Sequence, residues 1–362
     1  MASLLVAALI AVVVVIVTPL LGGSSDPSSP PAGPDDGAIE VDLERRIADF
    51  ATVKVADARY LPPKRVERDI LAEGVSLYVD GKHEEAERRL AEVDFGVRIL
   101  RDSVRAPAPA GSADSAGSAK SDASDADDVA YAGAGSSTGA GSAAYTASAA
   151  SSMDAASDAP GRRYAEIADR AGENMRGWGR VYVALDDPVH YSVQVPHPVA
   201  DAYSDLLGVG ILRSAPGGVL VMAGTHRTAG EGKAADVAHR RDTVFHAVCA
   251  ELVARRLPGI QVHGFADSSA PDHDLVVSTG AGETARPQAV DLARALTDDG
   301  FRVCRAWSAK CPLAGRKNKQ GVLAADQDVP FLHVETSRAV RTDPARMGDA
   351  IAAMAETARR WA

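Results

Sequence analysis

From position 178 onward, short β-branched runs alternate with stretches of helical period. The runs are 180–185 (RVYVAL), 191–195 (YSVQV), 218–224, 260–265, 274–280, 301–307 and 331–335 (FLHVE). The apolar spacing predicts helices over Ala202–Leu212, Thr243–Arg256, Pro287–Asp298 and Pro344–Trp361. Strands alternating with helices predict an α/β fold, a largely parallel or mixed sheet sandwiched by helices. In such sheets ligands collect at the carboxyl ends of the strands. That rule picks out His197, just past the 191–195 run, and His226, just past 218–224. His263 and Glu335 end their own runs.

The pattern upstream differs. Residues 39–104 place apolar side chains at helical spacing between many charges, as in KRVERDILAEGVSLYVDGKHEEAERRLAEV, with Asp80 and Gly81 marking a turn. They read as an N-terminal helical segment packing on the main domain. Residues 105–160 are dominated by Ala, Ser, Gly and Asp and lack the aliphatic side chains that offset backbone ordering. They read as a disordered insertion that interrupts a domain, because RILRDSV before it and GRRYAEIADR after it both look structured. Residues 161–362 then form an α/β hydrolase-like domain.

Residues 4–21 (LLVAALIAVVVVIVTPLL) are nearly all apolar, and ~18 such residues just span a bilayer core as a helix. Residues 1–22 therefore read as a transmembrane anchor or signal segment. No Lys or Arg precedes the run and no A-x-A site follows it, which favours an uncleaved anchor. The Pro-, Ser- and Gly-rich residues 23–38 read as a disordered linker. The expected location is the cell membrane, through residues 4–21, or outside the cell.

Composition refines this picture in two ways. A net charge of −10, with no basic stripe interleaved with aromatics, excludes nucleic acid as the expected partner. The three cysteines form no CxxC, which excludes a thiolate zinc knot. Cys304 and Cys311 either pair as a short staple in an exported domain or remain, with Cys249, as thiols.

The chemistry-bearing segments are VPHPVAD (195–201), GTHR (224–227), ADVAHRRD (235–242), VHGF (262–265) and HVETSR (333–338). Histidines and carboxylates at several strand ends are the raw material of a zinc hydrolase. Two neutral imidazoles and a carboxylate can hold Zn²⁺ with one position open for water. No HExxH or G-x-x-x-x-G-K-[ST] occurs, so a helix-borne metalloprotease site and a phosphate loop are excluded. The one G-x-S-x-G match, GSSTG at 135–139, falls in the Ala-, Ser- and Gly-rich tract and follows no β-branched run, so it does not read as a nucleophile elbow. Glu335 is the sharpest single signal, because a carboxylate closing an apolar run is costly unless it is used or paired. A salt bridge to Arg338 is its structural alternative.

The same segments, in this order, resemble the N-formylglutamate amidohydrolase-like proteins of the zinc carboxypeptidase-like fold group. The likeness covers about 192–344. VPHP stands for that family's first histidine motif, ADVAHR for its arginine motif, QVHGF for its second histidine strand, and HVETSR for its glutamate strand. The resemblance implies Zn²⁺ held by His197, His263 and a carboxylate. Position 200, where the family's carboxylate is expected, is Ala; Asp201, Asp205 or Glu231 takes its place, with Asp201 nearest along the loop. It further implies Glu335 as general base and acid, and Arg240 and Arg338 as anchors for a substrate carboxylate or polarisers of its carbonyl. Asp236 would orient an arginine or a ligand, and His239 stands where the family has Asn. The implied activity is hydrolysis of an amide next to a carboxylate, in a small-molecule or peptide substrate of N-formylglutamate, γ-glutamyl or cell-wall type. A metal-free surface binding or scaffold module on the same fold is the alternative, and a serine-type or metal-free hydrolase is a third.

Overall fold

The computed structural model describes residues 37–52, 59–104, 161–170 and 176–362. The apolar run 4–21, nearly all of the linker 23–38 and the insertion 105–160 lie outside the described residues. Among those described, no helix is long and apolar enough to cross a membrane.

The strands are β1 (Ile39–Val41), β2 (Phe95–Asp102), β3 (Arg163–Asp169), β4 (Arg180–Ala184), β5 (Tyr191–Val195), β6 (Gly218–Met222), β7 (Gly259–Phe265), β8 (Leu275–Ser278), β9 (Val303–Arg305) and β10 (Phe331–Ser337). They join in one mixed sheet of order β1-β2-β3-β4-β6-β5-β7-β10-β8-β9. Its centre, β6-β5-β7-β10, is parallel, and the pairings β4 with β6 and β10 with β8 are antiparallel.

Nine helices cover the faces among the described residues: α1 (Leu43–Ala51), α2 (Arg65–Val79), α3 (His83–Ala91), α4 (Ser204–Ser214), α5 (Val244–Ala254), α6 (Arg286–Asp298), α7 (Lys319–Asp326), α8 (Arg338–Arg341) and α9 (Pro344–Arg359). Leu43 and Ile47 of α1 share one core with residues of α4, α6 and α9; α2, α3 and α5 supply the other. Local signals explain several starts. Thr243 accepts from the His246 N–H to cap α5, and Asp343 caps α9 with Pro344 following it.

The segment 39–104, read from its sequence as helical, carries two strands as well as three helices. The physical reason lies in FGVRILRD, where Phe95, Val97 and Ile99 pack into one core while Leu100 enters the other and Arg98, on the Leu100 face, pairs with the buried Glu166. That is strand alternation in which long arginines mask the period. β2 pairs antiparallel with β3 from Phe95↔Asp169 to Arg101↔Arg163, so the strands on either side of 105–160 are direct neighbours. The segment is therefore part of the sheet itself.

A buried ionic latch ties the first elements to the main domain. Arg213, near the end of α4, donates to Asp102 at 2.6 and 3.0 Å, to Asp42 at 2.7 Å and to Glu44 at 2.9 Å. Asp102, on β2, also accepts from the Leu43 N–H. Cys304 and Cys311 form a disulfide, and Cys249 is a buried thiol.

At the other end of α4, Asp205 is only 5% exposed. Burial lifts its carboxyl to about 6, although backbone N–H groups at the helix start oppose the rise. An acid raised in this way stabilises the fold below its unfolded pKa and loses that contribution as pH climbs through about 6. Asp205→Asn is therefore expected to be more stable than wild type at pH 8, by up to ~3 kcal/mol. The difference should vanish near pH 3.5. Urea melts at both pH values check this; an advantage independent of pH refutes it.

Candidate metal centre

The parallel centre of the sheet has two unlike faces. In β5, β7 and β10 every residue but Gly264 is buried. One face carries Val193, Val195, Ile260, Val262, Leu332 and Val334, all in the apolar core. The alternate positions are Ser192 and Gln194, Gln261 and His263, His333 and Glu335. Register aligns them, with Gln194 opposite Gln261, Gln261 opposite His333, and His263 opposite Glu335. Buried polar groups persist only when bonded or used.

The lower row is bonded. The Gln261 amide donates to Gln194 Oε1 at 3.2 Å and to Gln320 Oε1 at 3.3 Å. Asn318, at the start of α7, donates to Gln261 Oε1 at 2.7 Å. The upper positions open onto a cluster of imidazoles and carboxylates.

His197 and Asp201 belong to one turn after β5, in which the Asp201 N–H donates to the His197 carbonyl at 2.8 Å. Residues four apart in such a turn face the same way. Asp201 Oδ2 lies 3.5 Å from His197 Nδ1 and 3.2 Å from His263 Nδ1, and it accepts from the Gly264 N–H at 3.2 Å. On the far side of each ring, His197 Nε2 is 2.9 Å from Asp236 Oδ1 and His263 Nε2 is 3.1 Å from Gln261 Oε1. Asp236 favours the His197 tautomer that turns the Nδ1 lone pair toward Asp201, while His263 Nε2 faces both the Gln261 oxygen and, at 3.2 Å, the Asn318 amide, so either tautomer of His263 finds partners. His197 Nδ1 is buried with no hydrogen-bond partner among the described residues. Two imidazole nitrogens and a carboxylate oxygen, one nitrogen orphaned, form a donor set that fits Zn²⁺.

A second, overlapping group is His263, His333 and Glu335. His333 Nε2 stands 3.7 Å from Glu335 Oε1, and its Nδ1 is also buried without a partner among the described residues. The His263 ring packs between those of His197 and His333, at centroid distances of 5.0 and 4.8 Å.

Electrostatics divides these groups. Burial holds His263 neutral, down to about 4, despite Asp201. Burial first, and the neighbouring His263 second, push His333 well below the usual imidazole range. Burial also disfavours charge on His197, but Asp201 and Asp236 outweigh it and raise its pKa. For Asp201 burial is overcome by His197 and His263, and for Asp236 by His197 and Arg227; both stay far below the usual carboxylate range. Glu335 behaves in the opposite way. Burial first, and the Asp201 charge second, raise it well above the ordinary value, with Arg341 and Arg227 pulling it down.

The structure thus brings His197, Asp201, His263, Asp236 and Glu335 together. His239 touches the edge of this network, with Nδ1 3.2 Å from Asp236 Oδ2. Glu231 sits in an exposed turn, and Asp205 lies inside the start of α4. Arg240 is committed to Asp242 by bonds of 2.9 and 2.6 Å. Arg338 opens α8 with an exposed side chain. Among the described residues neither arginine bonds any other expected site residue. Two other guanidinium groups reach the site. Arg227 donates to Asp236 Oδ2 at 3.0 Å, and Arg341 lies buried beside the strand ends. His333, Arg227 and Arg341 are the participants that sequence reasoning missed. The spacing of His333 and Glu335, two apart on one strand, was the available signal for the first.

No protein-family profile and no curated protein matches the sequence. Similar solved structures include N-formylglutamate amidohydrolase from Ralstonia eutropha, 15% identical, covering 50% of this chain and 96% of that one at a TM-score of 0.36. A cell shape determinant protein from Helicobacter pylori is 10% identical over 48% of this chain and 50% of its own, at 0.33. A candidate carboxypeptidase from Burkholderia mallei is 13% identical over 50% of this chain and 60% of its own, also at 0.33. The chain thus spans about half to three-fifths of the last two. The family whose motifs the sequence resembles is represented among these structures, at low similarity. The chemistry of the site is argued from its own geometry.

Proposed function

We propose that the chain is a zinc-dependent amidohydrolase or peptidase that cleaves an amide next to a carboxylate, in a substrate of N-formylglutamate, γ-glutamyl or cell-wall peptide type. Anchoring or export through residues 4–21 belongs to the same proposal. The observation that supports it most is the convergence of His197 Nδ1, His263 Nδ1 and Asp201 Oδ2, each imidazole backed on its other nitrogen, with Glu335 directly across the strand pair from His263.

His197, Asp201 and His263 would hold the zinc, which when bound supplies Lewis acidity and a water of lowered pKa. Asp236 would orient the His197 imidazole, and Gln261 with Asn318 would orient that of His263. Glu335 takes a proton from the attacking water and returns it to the leaving amine nitrogen. Its desolvated carboxyl, raised well above the ordinary carboxylate range, suits both transfers. Arg227, half-buried and already beside Asp236, is the guanidinium placed to meet a substrate carboxylate. Arg240 and Arg338 would contribute only from the surface.

The deciding experiment is metal analysis of the purified full chain with a hydrolysis assay on amides bearing an adjacent carboxylate. Stoichiometric zinc, activity lost to a chelator and activity restored by added Zn²⁺ are expected. A folded chain that holds no zinc replaces this reading with a binding module on the same fold. Hydrolysis that survives chelation replaces it with a metal-free or serine-type enzyme.

A further inference from the structure

Arg341 is an unusual buried cation. It is 5% exposed, and no carboxylate among the described residues pairs with it. Its partners are three backbone carbonyls. Nε donates to Thr336 at 3.0 Å, one terminal nitrogen donates to Phe265 at 3.0 Å, and the other donates to Ala202. Each carbonyl follows closely on a residue of the metal centre: Ala202 comes one after Asp201, Phe265 two after His263, and Thr336 one after Glu335. The loop after β5 and the ends of β7 and β10 are thus tied to one planar group.

The residue between His263 and Phe265 is shaped to this group. A Cβ at Gly264 would lie 2.3 Å from Arg341 Cζ and 2.5 Å from its Nε, so only glycine lets the guanidinium lie against the strand. The Gly264 N–H meanwhile donates to Asp201 Oδ2. The clamp and the carboxylate ligand therefore share one peptide segment.

We propose that Arg341 is a positioning residue, its three-carbonyl clamp setting the spacing of Asp201, His263 and Glu335 around the cation. The proposal rests on the metal reading given above. A guanidinium does this and an ammonium does not, because the fixed fork spans three acceptors in one plane while lysine presents a point charge.

The test uses Co²⁺ as probe on the full chain, with affinity from titration and ligand geometry from the visible absorption of the bound ion. Arg341→Met is expected to bind Co²⁺ about 10–100-fold more weakly, the usual effect of losing an outer support, with an altered absorption envelope. Arg341→Lys is expected to behave like Arg341→Met, since it keeps the charge and loses the fork. Gly264→Ala, which keeps every charge and crowds the guanidinium, is expected to weaken Co²⁺ in the same range and serves if the Arg341 variants do not fold. A folded Arg341→Met or Gly264→Ala chain with wild-type affinity and spectrum overturns the clamp. So does full rescue by lysine, which would make the effect one of charge. Wild type that takes up no Co²⁺ overturns the metal reading and the clamp with it, an outcome distinct from variants that match a competent wild type.

Discussion

Glu335→Gln in the zinc-loaded chain should lower kcat by about 10²–10⁴-fold, the usual contribution of a positioned general acid–base, and leave bound zinc unchanged. The substitution keeps the shape of the side chain and removes only its capacity to carry a proton. Glu335 sits opposite His263 on paired strands, yet it groups with His263 and His333 and not with His197 and Asp201. A role as base predicts that chemistry fails while metal uptake and KM stay near wild type. A role as ligand predicts that zinc and activity fall together. Parallel metal analysis and steady-state kinetics separate the two, and retention of wild-type kcat would remove Glu335 from the mechanism.

The overlap between His197–Asp201–His263 and His263–His333–Glu335 sets up the second large effect. Only one of these triplets can hold a given ion, because His263 Nδ1 already faces Asp201. Removing one of three protein ligands from a site worth roughly 10–16 kcal/mol should forfeit on the order of 3–5 kcal/mol, or ~10³-fold in affinity. His197→Ala and His263→Ala are both expected to lose zinc on this scale. His333→Ala is expected to keep it within about tenfold, because His333 would lie outside the coordination set. Competitive titration against a chromophoric chelator measures all three. Zinc lost from His333→Ala and kept by His197→Ala would move the ion to the other triplet.

The sequence made legible whatever depended on period and on strand ends. The runs at 191–195, 218–224, 260–265 and 331–335 became the parallel centre of the sheet within a residue or two at most boundaries. The strand-end rule found His197, His263 and Glu335 because a polar residue that closes a buried run has few other reasons to be there. Three things stayed hidden, each for a physical reason. β2 and β3 pair across a separation in sequence that no local pattern encodes, and the arginines of β2 mask its alternation. The choice among Asp201, Asp205 and Glu231 turns on one tight turn that points the first toward two imidazoles, buries the second in a helix start and leaves the third at the surface. The arginines of the site could not be ranked by motif order alone. Arg240 finds a closer partner in Asp242, while Arg341 is recruited by carbonyls, which carry no side-chain signature.

The latch at Arg213 bears on how the domain would take a mechanical load. Asp42, Glu44 and Asp102 grip the last turn of α4, while the loop bearing Asp201 adjoins its first turn, roughly 15 Å away along an eleven-residue helix. A pull on the chain ahead of Ile39 would be met first by that grip and by the short β1–β2 pairing at the sheet edge. The force would dissipate at the end of the helix remote from the histidines. A load applied from that side would fall on side chains that take no part in the histidine cluster.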